Sequence, residues 1–170
     1  DDEEFTNVLL TEDVHTRNQM AAGLDTRPQA KTFIYAFLYG AGDAKIGSIV
    51  GGTATHGREL KQRFLSNTPA LESLRERVGK ASQRGHLVGL DGRKLWVRSE
   101  HSALNTLLQA AGAIVMKKAL VILDDYAKQW KIDYKFVGNI HDEVQTEVAA
   151  EQAEKFGYLA VECLKAAGIY

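Results

Sequence analysis

The sequence predicts an α+β chain that is predominantly helical, and three observations carry that expectation. Apolar residues recur at helical spacing over most of the length. Several of these stretches open on residues that cap helices, with Thr26 ahead of Pro28 and Gln29, and Thr68 ahead of Pro69. Only two segments read as strand pairs, and each folds back on a turn-forming dipeptide, Asp91-Gly92 in one and His141-Asp142 in the other.

The spacing places helices at about 3–10, 13–23, 27–39, 43–51, 55–66, 69–84, 102–129 and 150–167. Helix 27–39 starts with a capping box, in which Thr26 and Gln29 satisfy each other's backbone donors. It stops at Gly40, where a left-handed cap is wanted, giving a rod of roughly 20 Å. The first hairpin is "HLVGLDGRKLWVRS", with a two-residue turn at Asp91-Gly92, and the second spans 134–148. No Ser-, Gly- or Pro-rich linker interrupts the chain, so one compact unit without a linker is expected. Within it, a helical region 1–84 precedes a region 85–170 that carries the second hairpin.

At 170 residues, 45% hydrophobic and with two prolines, the chain is built to bury a core rather than to stay disordered. The single Cys163 excludes an internal disulfide framework and points to a reducing compartment. "AAGAIVMKKALVIL", the longest near-apolar stretch, is split by Lys117 and Lys118, so no membrane span is expected. Net charge is −1, too little to draw a polyanion to the molecule as a whole. Its distribution is uneven, because residues 57–98 hold ten Lys or Arg against four acids while both ends are acidic. This belt fits a local polyanion contact and equally an ordinary solvated surface.

Three segments hold residues suited to chemistry. In "TRPQAKTFIYAFLYG", Arg27, Lys31, Tyr35 and Tyr39 recur at four-residue steps and form one drifting stripe, cations first and phenols after. The cations sit near the positive end of the helix dipole, which favours a phosphate chain, and the rings offer faces for a base or sugar. The same spacing fits a half-exposed helix with Phe33, Ile34, Phe37 and Leu38 inward. In "HSALNTLLQ", His101, Asn105 and Gln109 follow at i, i+4 and i+8, hydrogen-bonding groups able to probe minor-groove acceptors or simply to edge a core helix. In "GNIHDEVQ", Asp142 and Glu143 at a rigid hairpin tip offer the hard oxygens that Mg2+ takes, although a lone His-Asp turn is also an ordinary turn.

Together and in this order the segments resemble the polymerase core of family A DNA polymerases, as found in short-tailed bacteriophages. "RPQAKTFIYAFLYG" resembles the family's fingers helix, "GNIHDEVQ" its palm hairpin, "HSALNTLLQ" its minor-groove helix, and "EDVHT" the segment whose His lies beside the triphosphate. The resemblance implies a right-hand polymerase fold, fingers helices plus part of an antiparallel palm sheet. It implies that His15, Arg27, Lys31, Tyr35, Tyr39 and Gly40 bind the incoming dNTP, with Lys31 also assisting the leaving group. Asp142, with Glu143 beside it, would bind Mg2+ in a two-ion site, and His101, Asn105, Gln109 and His141 would contact primer-template DNA.

The family's first acidic motif would precede "DDEEF". The chain alone is therefore expected to be inactive, with another segment supplying that motif, the thumb and any exonuclease. Its setting would be the cytoplasm of a bacterial host. The competing expectation is a non-catalytic module that grips nucleotide or primer-template. A single-subunit RNA polymerase shares the Lys and Tyr-Gly spacing, but Arg27, the Asn105/Gln109 helix and Glu143 argue against it.

Overall fold

Thr26 decides where the stripe-bearing helix begins. Its backbone is extended, its hydroxyl accepts from the Gln29 N–H at 3.3 Å, and Gln29 Oε1 accepts from the Thr26 N–H at 3.1 Å. The expected capping box is therefore formed, with Pro28 in the first turn, where a missing N–H costs nothing. The other end closes on Gly40 at φ 77°. The Ala41 N–H bonds Ala36 O at 2.9 Å and the Gly40 N–H bonds Phe37 O at 3.0 Å, the paired bonds that terminate a helix on a left-handed residue.

The computed structural model describes residues 3–140 and 143–168. Their order is α1 (Glu3–Thr11), α2 (Val14–Ala22), α3 (Arg27–Leu38), α4 (Asp43–Ser48), α5 (Ala54–Ser66) and α6 (Pro69–Ser82), then β1 (His86–Val88) and β2 (Lys94–Trp96). There follow α7 (Glu100–Gln129), β3 (Tyr134–Ile140), β4 (Glu143–Val148), a 3-10 turn (Ala150–Gln152) and α8 (Ala153–Ala167). The chain is thus mostly helical with two small antiparallel sheets, the class the sequence predicts.

The residues pack as two compact units. One comprises the chain up to Leu87 together with Lys94–Leu107, and the other Val88–Arg93 together with the chain from Leu108 on. The first is centred on three rings, with Phe64 edge-on to Phe33 at 5.2 Å and to Phe37 at 5.4 Å, a favoured quadrupole arrangement. α4 and α5 cross there at Gly47 and Gly57, where backbone meets backbone, and a side chain at either glycine would strike a carbonyl of the other segment. A second cluster in this unit joins Val78, Leu87, Ala103 and Leu104.

The second unit gathers Leu123, Ala127, Ile132, Phe156, Leu159 and Cys163. Its hairpin pairs Tyr134 with Val148 and Ile140 with Glu143, with a register shift between Phe136 and Gly138. The Tyr134 hydroxyl donates to Asp124 Oδ1 at 2.6 Å, and burial followed by that carboxylate pushes its pKa up to about 12.

Local physics departs from the sequence-based expectation in several places. α4 stops at Ser48, short of 51, because the chain turns through Gly51 at φ 66° and the Gly52 N–H bonds back to Gly47 O. α7 starts at Glu100 rather than 102, and the last helix is preceded by a 3-10 turn. Pro69 opens α6 as expected, but Thr68 does not cap it: its hydroxyl donates to Phe64 O at 2.7 Å instead. The first hairpin has a three-residue loop, since the Gly89 N–H bonds Arg93 O and Gly92 takes φ 83°, the bulged form rather than the two-residue turn. By length and apolar content α7 could cross a bilayer, which corrects the reading from uninterrupted runs alone. Its Ala103, Leu104, Leu123 and Ala127 are buried in protein clusters, although only 17% of its most apolar window is buried.

Candidate nucleotide-binding helix

α3 buries Ala30, Phe33, Ile34 and Phe37 against the first unit's core, and this fixes its opposite face outward. Arg27, Lys31, Tyr35 and Tyr39 are all exposed, the two phenols by 47% and 54%. The structure therefore brings the four stripe residues onto one solvent-facing surface. Lys31 has no ion pair among the described residues, so its charge is available to a ligand.

Arg27 is committed differently. Its Nε and a terminal nitrogen both reach the Asp13 carboxylate, the latter at 3.1 Å, in a forked pair. Asp13 is also the N-cap of α2, accepting from the His15 N–H at 3.2 Å and the Thr16 hydroxyl at 2.8 Å. The Arg27 guanidinium, then the Thr16 hydroxyl, hold the Asp13 carboxyl well below the usual carboxylate range, and Asp13 in turn raises Arg27 above its ordinary value. Asp13 was not among the residues that spacing singled out. It lies fourteen positions from its partner in a different helix, where no helical period could reveal the pair.

The same pair places α2 beside α3, and His15 comes to lie against Tyr35 with ring centroids 6.3 Å apart, tilted by 50°. His15 Nδ1 is shut off from solvent and has no hydrogen-bond partner among the described residues. An orphaned polar atom of this kind is costly unless something satisfies it. His15, Arg27, Lys31 and Tyr35 thus form one cluster of two cations, an imidazole and a phenol.

At the far end of α3, Gly40 is pressed against the first turn of α7, and a Cβ there would strike the His101 carbonyl. This close approach brings the end of the stripe helix next to His101, whose Nε2 lies 3.2 Å from the Ser99 hydroxyl. A groove of about 870 Å³ opens beside it, lined by Phe37, Gly40, Lys61, Arg75, Lys80 and His101 among others. Lys61 fixes its rim by donating to Ala41 O at 2.7 Å and Asp43 Oδ1 at 3.0 Å, and Arg75 lies 5.8 Å over the Phe37 ring. Both belong to the basic belt 57–98, but charge counting singled out neither. Asn105 and Gln109 follow His101 along α7, the first half-buried and the second exposed.

The proposed metal site is less complete. His141 and Asp142 lie outside the described residues. Glu143 opens β4, is exposed, and accepts from Gln145 Nε2 at 2.9 Å. Among the described residues no group of three or more His, Cys, Asp or Glu comes together to hold a metal. Glu143 alone does not make a magnesium cage.

The model of DNA polymerase family A matches residues 5–169. The chain belongs to that family. Among family A relatives, the DNA-directed DNA polymerase of Escherichia phage Phieco32 is 44% identical over 173 residues, covering 98% of this chain and 28% of that protein. The DNA-directed DNA polymerase of Escherichia phage T7 is 44% identical over 173 residues, covering 89% of this chain and 25% of that protein. The chain therefore spans about a quarter of the length of these curated relatives. The POL domain of Pol1 from M. smegmatis, solved in complex with DNA primer-template and dNTP, superposes with a TM-score of 0.80 at 18% identity, over 92% of this chain and 31% of that one. At that identity the likeness establishes the fold, the helical family A polymerase architecture with its small antiparallel sheets.

Proposed function

We propose that this chain forms the dNTP- and primer-template-binding part of a DNA-templated DNA polymerase, acting in replication by nucleotidyl transfer. The observation that carries the reading is the cluster on α3: a Lys31 ammonium with no ion pair among the described residues, an exposed Tyr35 ring with His15 against it, and Arg27 at the helix start. Its polarity suits a triphosphate at the N-terminal half and a sugar and base toward Tyr35 and Tyr39. Lys31 attracts the phosphates and is placed to stabilise charge on a departing pyrophosphate. The hydrogen-bonding row His101, Asn105 and Gln109, with His141, is assigned to primer-template DNA, a role supported by the position of Gly40 and His101 on the groove beyond Tyr39. Asp142 and Glu143 carry the magnesium part of the proposal, the ion's chemistry being activation of the primer hydroxyl and neutralisation of phosphate charge. Membership in family A and the two phage relatives named DNA-directed DNA polymerase support the reading.

Equilibrium binding of a fluorescent deoxynucleoside triphosphate tests it. Lys31→Ala is expected to weaken binding roughly tenfold, the scale of one lost charge-assisted phosphate contact. Primer extension on a template, assayed with any further segment its gene encodes, is expected to fall with it. Unchanged triphosphate affinity in Lys31→Ala would remove the nucleotide-binding role of α3.

A further inference from the structure

The hairpin β1–β2 has an outer face that the proposed nucleotide site leaves unexplained. Its inner residues Leu87, Leu95 and Val97 pack with Val78, Ala103 and Leu104, which commits the alternate positions to solvent. The bond from the Val97 N–H to Gly85 O at 3.1 Å sets the strands so that His86 stands opposite Trp96. Their ring centroids are 5.8 Å apart and tilted by 59°, and Trp96 is 74% exposed, the most open of the exposed aromatic rings among the described residues. His86 Nδ1 lies 3.3 Å from Arg84 O, which steadies the imidazole under the indole edge.

Three cations surround this pair. Lys94 is two residues before Trp96 on the same strand face, and Arg84 and Arg98 stand at the base of the two strands, all three exposed. None of them is ion-paired among the described residues, and Arg84 donates only a long 3.4 Å bond to Ala81 O. An indole is an expensive residue to leave in water. Set among unneutralised cations, it has the composition of a surface that stacks bases and tracks phosphates.

We infer that the His86–Trp96 face of the β1–β2 hairpin is a binding surface for single-stranded DNA, with a base stacked on Trp96 and the flanking phosphates held by Arg84, Lys94 and Arg98. The inference rests on the proposed function only for which strand arrives there, an unpaired template segment, and its contacts are separate from α3. Charge complementarity selects the occupant. A flat exposed ring suits an unstacked base, whereas a duplex keeps its bases inside, and an acidic peptide would use the cations and leave the indole idle.

The test is a titration of the protein with oligo-dT, read by tryptophan fluorescence in a Trp130→Phe background, so that Trp96 is the sole reporter of the chain's two tryptophans. Binding is expected to quench Trp96. By anisotropy with labelled oligo-dT, Trp96→Ala weakens binding about tenfold or more, whereas Trp96→Phe, which keeps a stacking face, stays close to the parent. Because Trp96 is largely in solvent its removal spares the core, and circular dichroism of the variant confirms folding. Lys31→Ala leaves the quench intact. Loss of the quench together with retained triphosphate binding overturns this inference alone, and lost triphosphate binding with a retained quench overturns the nucleotide site alone. Equal affinity of Trp96→Ala, equal quenching by duplex DNA, or quenching by oligo-glutamate but not oligo-dT each overturns it.

Discussion

At the scale of single residues, Asp13 governs more than its position as a helix cap suggests. It joins the start of α2 to the start of α3 and so sets His15 against Tyr35. Its carboxyl is held below the ordinary range, chiefly by Arg27, so the folded state keeps it ionised where the unfolded chain would protonate it. The stability this contributes is fully present above the unfolded value of about 4 and is lost as the pH falls from there through the lower folded value. Asn caps a helix as well as Asp does but holds no charge, so Asp13→Asn is expected to keep α2 and abolish this acid dependence. The His15 amide shift, followed by NMR from pH 5 downward, checks it: it should hold past pH 4 in the parent and show no carboxylate titration in the variant. A parent titration at the ordinary carboxylate midpoint would mean the forked pair does not form. The stripe itself was legible in the sequence, because Arg27, Lys31, Tyr35 and Tyr39 share one helical period. The Asp13 partner of Arg27 was not, because it caps another helix, and neither was the part Lys61 and Arg75 play at the groove, where they contact Ala41, Asp43 and Phe37 from α5 and α6.

At the scale of elements, the rules that act within a few residues were readable and those that act between elements were not. Thr26, Gln29 and Gly40 predicted both ends of α3 because caps are local hydrogen bonds. Thr68 misled for the same reason in reverse, since a carbonyl of the preceding helix captured its hydroxyl. The crossing of α4 and α5 was invisible, as it depends on Gly47 and Gly57 meeting across a turn. A Cβ at Gly57 would strike the Asp43 carbonyl, and backbone atoms have no rotamer with which to retreat. Alanine gains about 1 kcal/mol in helix propensity over glycine, while forcing atoms into a packed contact costs about 1–3 kcal/mol. With backbone on both sides the steric term wins, and Gly57→Ala is expected to destabilise by about 1–2 kcal/mol. Gly157 in α8 has open space at its Cβ position and is the internal control, expected to gain up to about 1 kcal/mol as alanine. Urea midpoints of the two variants check the opposite signs, and a stabilising Gly57→Ala would contradict the backbone crossing.

At the scale of the whole molecule, the basic belt was legible from charge counting, but how many of its charges are free was not. Of the ten cations between residues 57 and 98, Arg58 and Lys61 are tied to Asp43 and Arg93 to Asp91, leaving seven without a carboxylate partner among the described residues. Those seven do not form one surface a strand must use, since Arg75 is engaged with the Phe37 ring at the groove while Arg84, Lys94 and Arg98 sit on the hairpin. The net charge of −1 adds no long-range attraction, so affinity for single-stranded DNA should report local contacts. Each phosphate neutralised on a single strand contributes about −0.7 to the slope of log affinity against log salt. Three hairpin contacts therefore predict a slope of about −2 for oligo-dT, and engagement of all seven cations about −5. Anisotropy titrations between 50 and 200 mM salt, on the scale where these slopes separate, decide between them. Replacing any one of Arg84, Lys94 or Arg98 by alanine should make the slope shallower by about 0.7, while Arg75→Ala should leave it in place. A slope near −5, or one that Arg75→Ala changes as much as Lys94→Ala does, would move the DNA contact off the hairpin and onto the belt at large.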